Sequence, residues 1–238
     1  MKDDNIEQEA IKFVKEHKLV IINSFAKKDN YPVEKNPFTI MMAGSPGAGK
    51  TEYSKSLIHQ LYQEKLDSKI VRIDPDEIKE IIPQYNKKNS YIVQKAAIKA
   101  MELIIDYVHH HQQNALIDGT FAHYNSSIKN IERSVKKYGR SVKIWYLYLD
   151  PRIAWDITRK REKLEGRPIK KEDFINAFFL AKENANKAKK QFGKLVELNL
   201  VIKDIRNLKK NKLQLNIANI DNYMTIGYNR DQLTKILI

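Results

Sequence analysis

The chain has 238 residues, 42% hydrophobic and 30% charged, a balance that is typical of a soluble globular protein and excludes fibrous and intrinsically disordered classes. It has no cysteine, which excludes disulfides, thiolate metal sites and a cysteine nucleophile. Its 43 basic and 29 acidic residues give a net charge of +14, which favours phosphorylated or other anionic partners. The basic residues are dispersed along the chain, so nucleic acid is the less favoured of these partners.

The N-terminal segment is charged throughout and lacks the apolar core of a signal peptide, and no apolar run approaches the ~20 residues of a membrane span. We therefore expect a cytoplasmic protein without a membrane partner. Apolar residues at helical spacing from Ile6 to Phe25 predict a helix, and the polar, proline-containing stretch from Lys27 to Pro37 predicts a connector. Residues 1–37 are thus predicted to be an N-terminal helical appendage and connector.

Strands and helices then alternate along the chain. The strands are predicted at Phe38–Ala43, Lys69–Ile73, Ala115–Ile117, Val142–Leu149 and Leu198–Lys203; the helices begin at Thr51 and near Asn89, Ser126, Ile153 and Lys171. This alternation favours an α/β fold, in which helices cover both faces of a mostly parallel sheet as a three-layer sandwich. The core domain is predicted to span residues 38–205. Residues 206–238 form a predicted C-terminal extension, in which Leu213 to Ile217 alternate like an exposed strand.

The sequence GSPGAGKT lies between the first predicted strand and the first helix of this domain. Its glycines permit a loop whose backbone N–H groups turn inward onto phosphate oxygens, and the lysine and threonine would contact the β- and γ-phosphates and Mg²⁺. A glycine-rich turn that matches by chance is the alternative, but the required strand and helix are both present. The motif therefore predicts a P-loop NTPase-type fold that binds ATP and Mg²⁺ through Gly44, Ser45, Pro46, Gly47, Ala48, Gly49, Lys50 and Thr51, with Thr51 as the metal ligand. The Asn-Lys-x-Asp segment of switch GTPases is absent from a suitable strand end, which favours a kinase.

Two aspartates follow the second predicted strand, in the segment RIDPDEIKEIIPQY. They fall at the carboxyl edge of the sheet, where open α/β sheets bind ligands. We interpret Asp76 as the base that accepts the proton of a substrate hydroxyl, with Asp74 orienting or capping the next turn. The residues alone leave a second interpretation open, in which both aspartates only cap a helix that begins near Glu77.

The third strand ends in the sequence IDGT, which places another carboxylate at a strand end. Asp118 is predicted to bind Mg²⁺ through water or to contact the acceptor, and an ordinary Asp-Gly turn is the alternative. The sequence TRKREKLEGRPI follows the fourth strand and is interpreted as a mobile basic lid over ATP. Arg161 and Arg167 are its candidate catalytic arginines and Arg159 is held in reserve; a solvated basic helix is the other interpretation.

Taken in order, GSPGAGKT, IDPDEIKEIIPQY, LIDGT and REKLEGRPIKKEDF resemble the zeta-toxin family of P-loop kinases, over roughly residues 38–203. The resemblance implies that Asp76 is the catalytic base. It aligns Asp118, Gly119 and Thr120 with a Glu-Gly-Thr motif that contacts the acceptor sugar. Upstream of this motif, Glu102 becomes a further acceptor-site candidate.

The same resemblance assigns the two phosphate-binding lid arginines to Arg161 and Arg167. Two departures from the family pattern bear on the acceptor: Asp118 replaces a glutamate, and Ile82 replaces the histidine of a His-Pro turn. Family members phosphorylate the 3′-hydroxyl of UDP-N-acetylglucosamine and are restrained by a small helical antitoxin. The resemblance therefore implies a sugar-nucleotide acceptor and an antitoxin partner.

Two other functions remain open from the sequence. One is a P-loop kinase that acts on a nucleic-acid end or another metabolite, which the net charge of +14 favours. The other is a nucleotide-gated binding module, which uses ATP only to order its lid and hold a partner.

Overall fold

The computed structural model describes residues 2–63, 69–165, 168–205 and 210–238. Its sheet has the strand order β2-β3-β1-β4-β5-β6, and β1 to β5 are parallel while β6 runs antiparallel to β5. The strands are β1 Phe38–Ala43, β2 Ile70–Ile73, β3 Asn114–Ile117, β4 Ser141–Tyr148, β5 Val196–Ile202 and β6 Lys212–Gln214. The predicted α/β class with a mostly parallel sheet is confirmed, and β1 has the predicted bounds.

Helices cover both faces of this sheet. They are α1 Lys2–Glu16, α2 Lys18–Ala26, α3 Lys50–Gln63, α4 Pro75–Lys79, α5 Gln94–His110, α6 Tyr124–Glu132, α7 Pro151–Glu165, α8 Lys171–Phe192 and α9 Arg230–Ile236. Successive side chains of a strand point to opposite faces, so Ile144 and Tyr146 enter one hydrophobic cluster while Trp145 and Leu147 enter the other. These two clusters on either side of one sheet make the three-layer sandwich. Among the described residues, no helix has the length and apolar character needed to cross a bilayer.

The terminal regions pack onto this core. In α1 and α2, Ala10, Val14 and Ile21 are buried in the same cluster as the sheet, and both helices contact α5. At the other end, the buried Leu233 of α9 lies in the opposite cluster, and β6 extends the sheet. The division of the chain at residues 37 and 205 stays a prediction.

The strand order determines where loops meet. From β1 the chain moves outward to β2, returns to β3 beside β1, and then crosses to β4 on the other side of β1. The carboxyl ends of β1 and β3 therefore border the point where the winding direction reverses, which is the usual ligand crevice of an open α/β sheet. The loops that follow β1, β2 and β3 converge there.

Candidate active site

The loop after β1 has the backbone that a phosphate cradle needs. Gly44, Gly47 and Gly49 all have positive φ, a region that other residues rarely adopt. A Cβ atom on Gly47 would lie 2.1 Å from the carbonyl oxygen of Ala154 in α7, so no side chain fits there. The N–H of Gly44 donates to the carbonyl oxygen of Thr120 at 3.1 Å, which joins the loop to the segment after β3.

Lys50 begins α3 and folds back over this loop. Its Nζ donates to the carbonyl oxygens of Gly44 at 3.0 Å and Ser45 at 2.7 Å. Desolvation lowers the pKa of Lys50 to about 8; the charge of Asp118 opposes this shift and that of Arg161 reinforces it. The ammonium group is therefore held against the glycine loop by two backbone carbonyl oxygens. Thr51, the next residue, lines the same space.

An arginine of β2 draws the predicted carboxylates together. Arg72 Nη2 lies 2.6 Å from both Asp74 Oδ2 and Asp118 Oδ2, and its Nη1 lies 2.5 Å from Glu77 Oε1. Ser54 of α3 also donates to Asp118 Oδ2 at 3.1 Å. Burial and Asp118 raise the pKa of Asp74, and Arg72 opposes that increase. The guanidinium of Arg72 therefore holds these three carboxylates together.

Asp74 also caps a helix, as the alternative interpretation of this segment proposed. Its Oδ1 accepts from the backbone N–H of Asp76 at 2.9 Å at the start of α4. Asp76 itself lines the cavity, and its Oδ1 accepts from Nζ of the buried Lys79 at 3.1 Å. Lys79 Nζ donates further to Ser90 Oγ at 2.8 Å.

The basic segment after β4 is divided between the cavity and its exterior. Arg161 of α7 lines the cavity. Arg159 instead pairs with Glu162 and lies 5.7 Å from the ring centroid of Trp155, and it is not among the described residues that line the cavity. Arg167 lies outside the described residues, so its predicted lid role stays a prediction.

The cavity has a volume of about 660 Å³, within the range of small-molecule sites. Gln94, Ile98 and Met101 contribute the wall from α5. The predicted acceptor residue Glu102 turns away: its carboxylate lies 4.0 Å from Lys129 Nζ, and it is not one of the described lining residues. The remaining lining residues come from β1, α3, α4, α6 and α7, from the ends of β2 and β3, from the loops after β1 and β3, and from the segments before α5 and α8.

The loop after β3 is held in place by a side chain of α8. Phe121 has a φ of +63°, which is unusual for a residue other than glycine. The buried Asn184 donates from Nδ2 to the carbonyl oxygens of Phe121 at 3.0 Å and Ala122 at 2.8 Å. These bonds hold Thr120, which was predicted to bind the acceptor, at the cavity wall.

The family comparison agrees with this geometry. A family model described as zeta toxin matches residues 22–217, which is most of the chain. The chain belongs to the zeta toxin family. The resemblance inferred from the motifs is therefore confirmed, and membership supports a P-loop phosphotransferase.

Solved structures share the fold at low sequence identity. One, from the PezAT chromosomal toxin-antitoxin system of Streptococcus pneumoniae, has a TM-score of 0.61 and 19% identity, covering 94% of this chain and 86% of that chain. Another, AvrRxo1-ORF1:-ORF2 with ATP, has a TM-score of 0.60 and 13% identity, covering 93% of this chain and 70% of that chain. A third, from the Pnkp1/Rnl/Hen1 RNA repair complex, has a TM-score of 0.50 and 14% identity, covering 83% and 54%. These likenesses confirm the P-loop NTPase-type fold of this zeta toxin family member.

The residues of the site that were not predicted from the sequence include Arg72, Lys79 and Asn184. Arg72 had a usable signal, because a charged residue inside a short buried strand requires a partner. Lys79 had a weaker one, its i,i+3 spacing from Asp76. Asn184 gave none, because its partners lie 62 and 63 residues away in the chain.

Proposed function

We propose that this protein is an ATP-dependent phosphotransferase that transfers the γ-phosphate to the 3′-hydroxyl of UDP-N-acetylglucosamine. The observation that carries the proposal is that Lys50, Asp76 and Arg161 line one cavity of about 660 Å³. Family membership supports the P-loop phosphotransferase. The acceptor is inferred from the resemblance of the motifs to those of the family.

The nucleotide end of the site is built by residues 44–51. Glycine at position 47 lets the loop pack closely against α7, where a Cβ atom would collide with the carbonyl oxygen of Ala154, and the N-terminus of α3 favours negative charge. Lys50 would exchange its two carbonyl acceptors for phosphate oxygens, and Thr51 would hold Mg²⁺. The hydroxyl oxygen of Thr51 is the kind of oxygen donor that Mg²⁺ prefers, and Thr51 lines the cavity. When bound, Mg²⁺ supplies neutralisation of phosphate charge.

The acceptor end is built around Asp76. Its carboxylate would orient the attacking hydroxyl and accept its proton as the new O–P bond forms and the bond from the γ-phosphorus to the β–γ bridging oxygen breaks, with ADP as the leaving group. Arg161 would stabilise the charge that develops on the transferred phosphoryl group. Asp74, Asp118 and Thr120 would contribute to acceptor binding from the ends of β2 and β3.

The test is incubation of the purified protein with Mg²⁺, ATP and UDP-N-acetylglucosamine, with products identified by mass spectrometry beside a Lys50→Ala control. The expected product is a phosphorylated sugar nucleotide that the control does not form. Consumption of ATP with an untouched sugar nucleotide would refute the acceptor and direct the search to RNA ends and other hydroxyl compounds. Steep salt dependence of binding would then identify a nucleic-acid acceptor.

We further propose that a protein antitoxin restrains this activity. Support comes from family membership and from the toxin-antitoxin system to which one similar structure belongs. Induced expression of the chain alone in bacteria is expected to arrest growth, whereas Lys50→Ala is not. Equal growth with the two proteins, at equal expression, would contradict a toxin role and leave the transfer reaction to be judged by mass spectrometry.

A further inference from the structure

The cavity contains a buried lysine for which the proposed reaction assigns no role. Lys79, the last residue of α4, is only 4% exposed and lines the cavity. Lysine side chains are almost never buried unless they are paired, because removing an ammonium group from water is costly. Lys79 therefore needs partners that offset the cost of burying its charge.

Its partners both belong to the acceptor end. Lys79 Nζ lies 3.1 Å from Asp76 Oδ1 and 2.8 Å from Ser90 Oγ, and Asp76 and Ser90 both line the cavity. Asp76 is one turn earlier on the same short helix, whereas Ser90 lies in the segment between α4 and α5. The ammonium group thus links the proposed base to a different wall of the site.

The two members of the ion pair differ strongly in exposure. The side chain of Asp76 is 42% exposed, but that of Lys79 is 5% exposed. A half-exposed aspartate has several accessible rotamers, and a buried lysine held by a second acceptor restricts the rotamer that keeps the bond. Ser90 therefore stabilises the lysine, and the lysine restricts the carboxylate.

We propose that Lys79 is a positioning residue that holds the Asp76 carboxylate in its orientation toward the acceptor hydroxyl, with Ser90 anchoring the lysine. The proposal rests on the proposed role of Asp76 as the base. Phosphoryl transfer depends chiefly on positioning and electrostatics. A displacement of about 1 Å in such a site costs on the order of 100-fold in rate.

The first test compares Lys79→Met with Lys55→Met. Lys55 is a matched control because it pairs with Glu77 of the same helix at 3.9 Å but its side chain is 62% exposed. For Lys79→Met we expect kcat to fall by ~10- to 100-fold with the KM for ATP within about 2-fold of wild type. Lys55→Met should keep both values, and a Lys79→Met enzyme with wild-type kcat would overturn the proposal.

A double-mutant cycle separates positioning from a general structural effect. If Lys79 acts through Asp76, Lys79→Met should slow the residual turnover of Asp76→Asn by less than about 2-fold. An equal reduction in both backgrounds would show that the lysine acts independently and would overturn the proposal. If Lys79→Met does not fold, Ser90→Ala takes its place in the cycle, with a smaller kcat loss in the same direction expected and no loss overturning the proposal.

A spectroscopic test keeps the inference distinct from the proposed function. In protein labelled with ¹³C-aspartate, the Asp76 carboxyl resonance is assigned by its loss in Asp76→Asn. The chemical shift of this resonance should change in Lys79→Met, or in Ser90→Ala if that variant replaces it. It should be unchanged in Lys55→Met. Absence of transfer by the wild-type protein refutes the proposed function, whereas an unmoved resonance refutes the Lys79 contact.

Discussion

Arg72, which is partly buried, and Arg140, which is buried, lie at the carboxyl and amino edges of the central sheet and have different partners. At the carboxyl edge, Arg72 faces the carboxylates of Asp74, Asp118 and Glu77 beside the cavity. At the amino edge, just before β4, Arg140 is 3% exposed and donates to Thr39 Oγ1 at 3.0 Å and to two backbone carbonyl oxygens. Within the described part of the chain it has no carboxylate partner.

The difference separates a candidate site from a structural clamp. Asp74 and Asp118, two of the three partners of Arg72, follow β2 and β3 and line the cavity. Arg140 joins the carbonyl groups of Phe38 and Gln113, so it fastens the beginnings of β1, β3 and β4. Burial lowers the pKa of Arg140 to about 10, which indicates a cost of holding the charge there. We therefore expect changes at the carboxyl edge to reduce turnover, whether or not stability also falls, and changes at the amino edge to reduce stability while turnover per folded molecule is kept.

The largest expected effect is that of Asp76→Asn at the carboxyl edge. Removing a general base reduces the rate by ~100- to 10,000-fold, and we expect about 1,000-fold in kcat with an unchanged melting temperature. Steady-state kinetics and thermal denaturation measure the two quantities. Asp106→Asn is the matched control, since Asp106 pairs with Arg133 away from the cavity. Wild-type turnover in Asp76→Asn would remove this residue from the mechanism.

Arg72→Met should have the next largest effect and lower kcat by about 100-fold. Loss of the guanidinium leaves Asp74 and Asp118 buried beside each other without their shared partner, and breaking a buried pair costs about 3 to 5 kcal/mol of stability. Kinetics on the folded fraction and urea denaturation measure these effects. A folded Arg72→Met protein with normal turnover would contradict the role assigned to the carboxyl edge.

Arg140→Met tests the other edge. It leaves the carbonyl oxygens of Phe38 and Gln113 without this donor, and we expect a loss of about 2 to 3 kcal/mol in the free energy of unfolding. Turnover per folded molecule should stay within about 2-fold of wild type. A selective loss of turnover in well-folded protein would break the distinction between the two edges.

The pH dependence of nucleotide binding tests the role of Lys50 at the carboxyl edge. Because the pKa of Lys50 is lowered to about 8, its ammonium group loses its proton as the pH rises through that value. Affinity for ATP should then fall by up to ~10-fold per pH unit above 8. Calorimetric titration from pH 7 to 9.5 measures this, with Lys50→Met expected to bind more weakly and without this pH dependence. Constant wild-type affinity over the range would contradict it.

The smallest expected effect concerns His109 at the amino edge. Burial, and then the charge of Arg140, lowers its pKa from 6.5 to about 3, so the unfolded chain binds a proton at pH 5 that the folded chain does not. The resulting stability is fully present above pH 6.5 and is lost as the pH falls toward 3, by about 1 kcal/mol between pH 6 and 5. Urea denaturation at these pH values should show a smaller change for His109→Gln. An equal pH dependence in the two proteins would exclude His109 as its source.

The elements predicted with most success are those whose signal is local. The alternation of strands and helices predicted the sheet, and the glycine motif predicted a loop whose three glycines have positive φ. The Asp-Pro-Asp segment was compatible with two interpretations, helix capping and catalysis. Asp74 is found to cap α4. The catalytic role of Asp76 stays a prediction, as does that of Arg167.

The fold class, the family and the position of the phosphate loop could be predicted from the sequence, because backbone conformation and apolar periodicity are set by neighbouring residues. Which charges meet depends on the tertiary structure. Arg72 reaches Asp118 across 46 residues of the chain, whereas Glu102, on a helix that lines the cavity, faces Lys129. Burial of Lys79 likewise depends on the walls that α4 and α5 form together. Such contacts form where segments that are distant in the chain meet. They cannot be predicted from residue type and spacing alone.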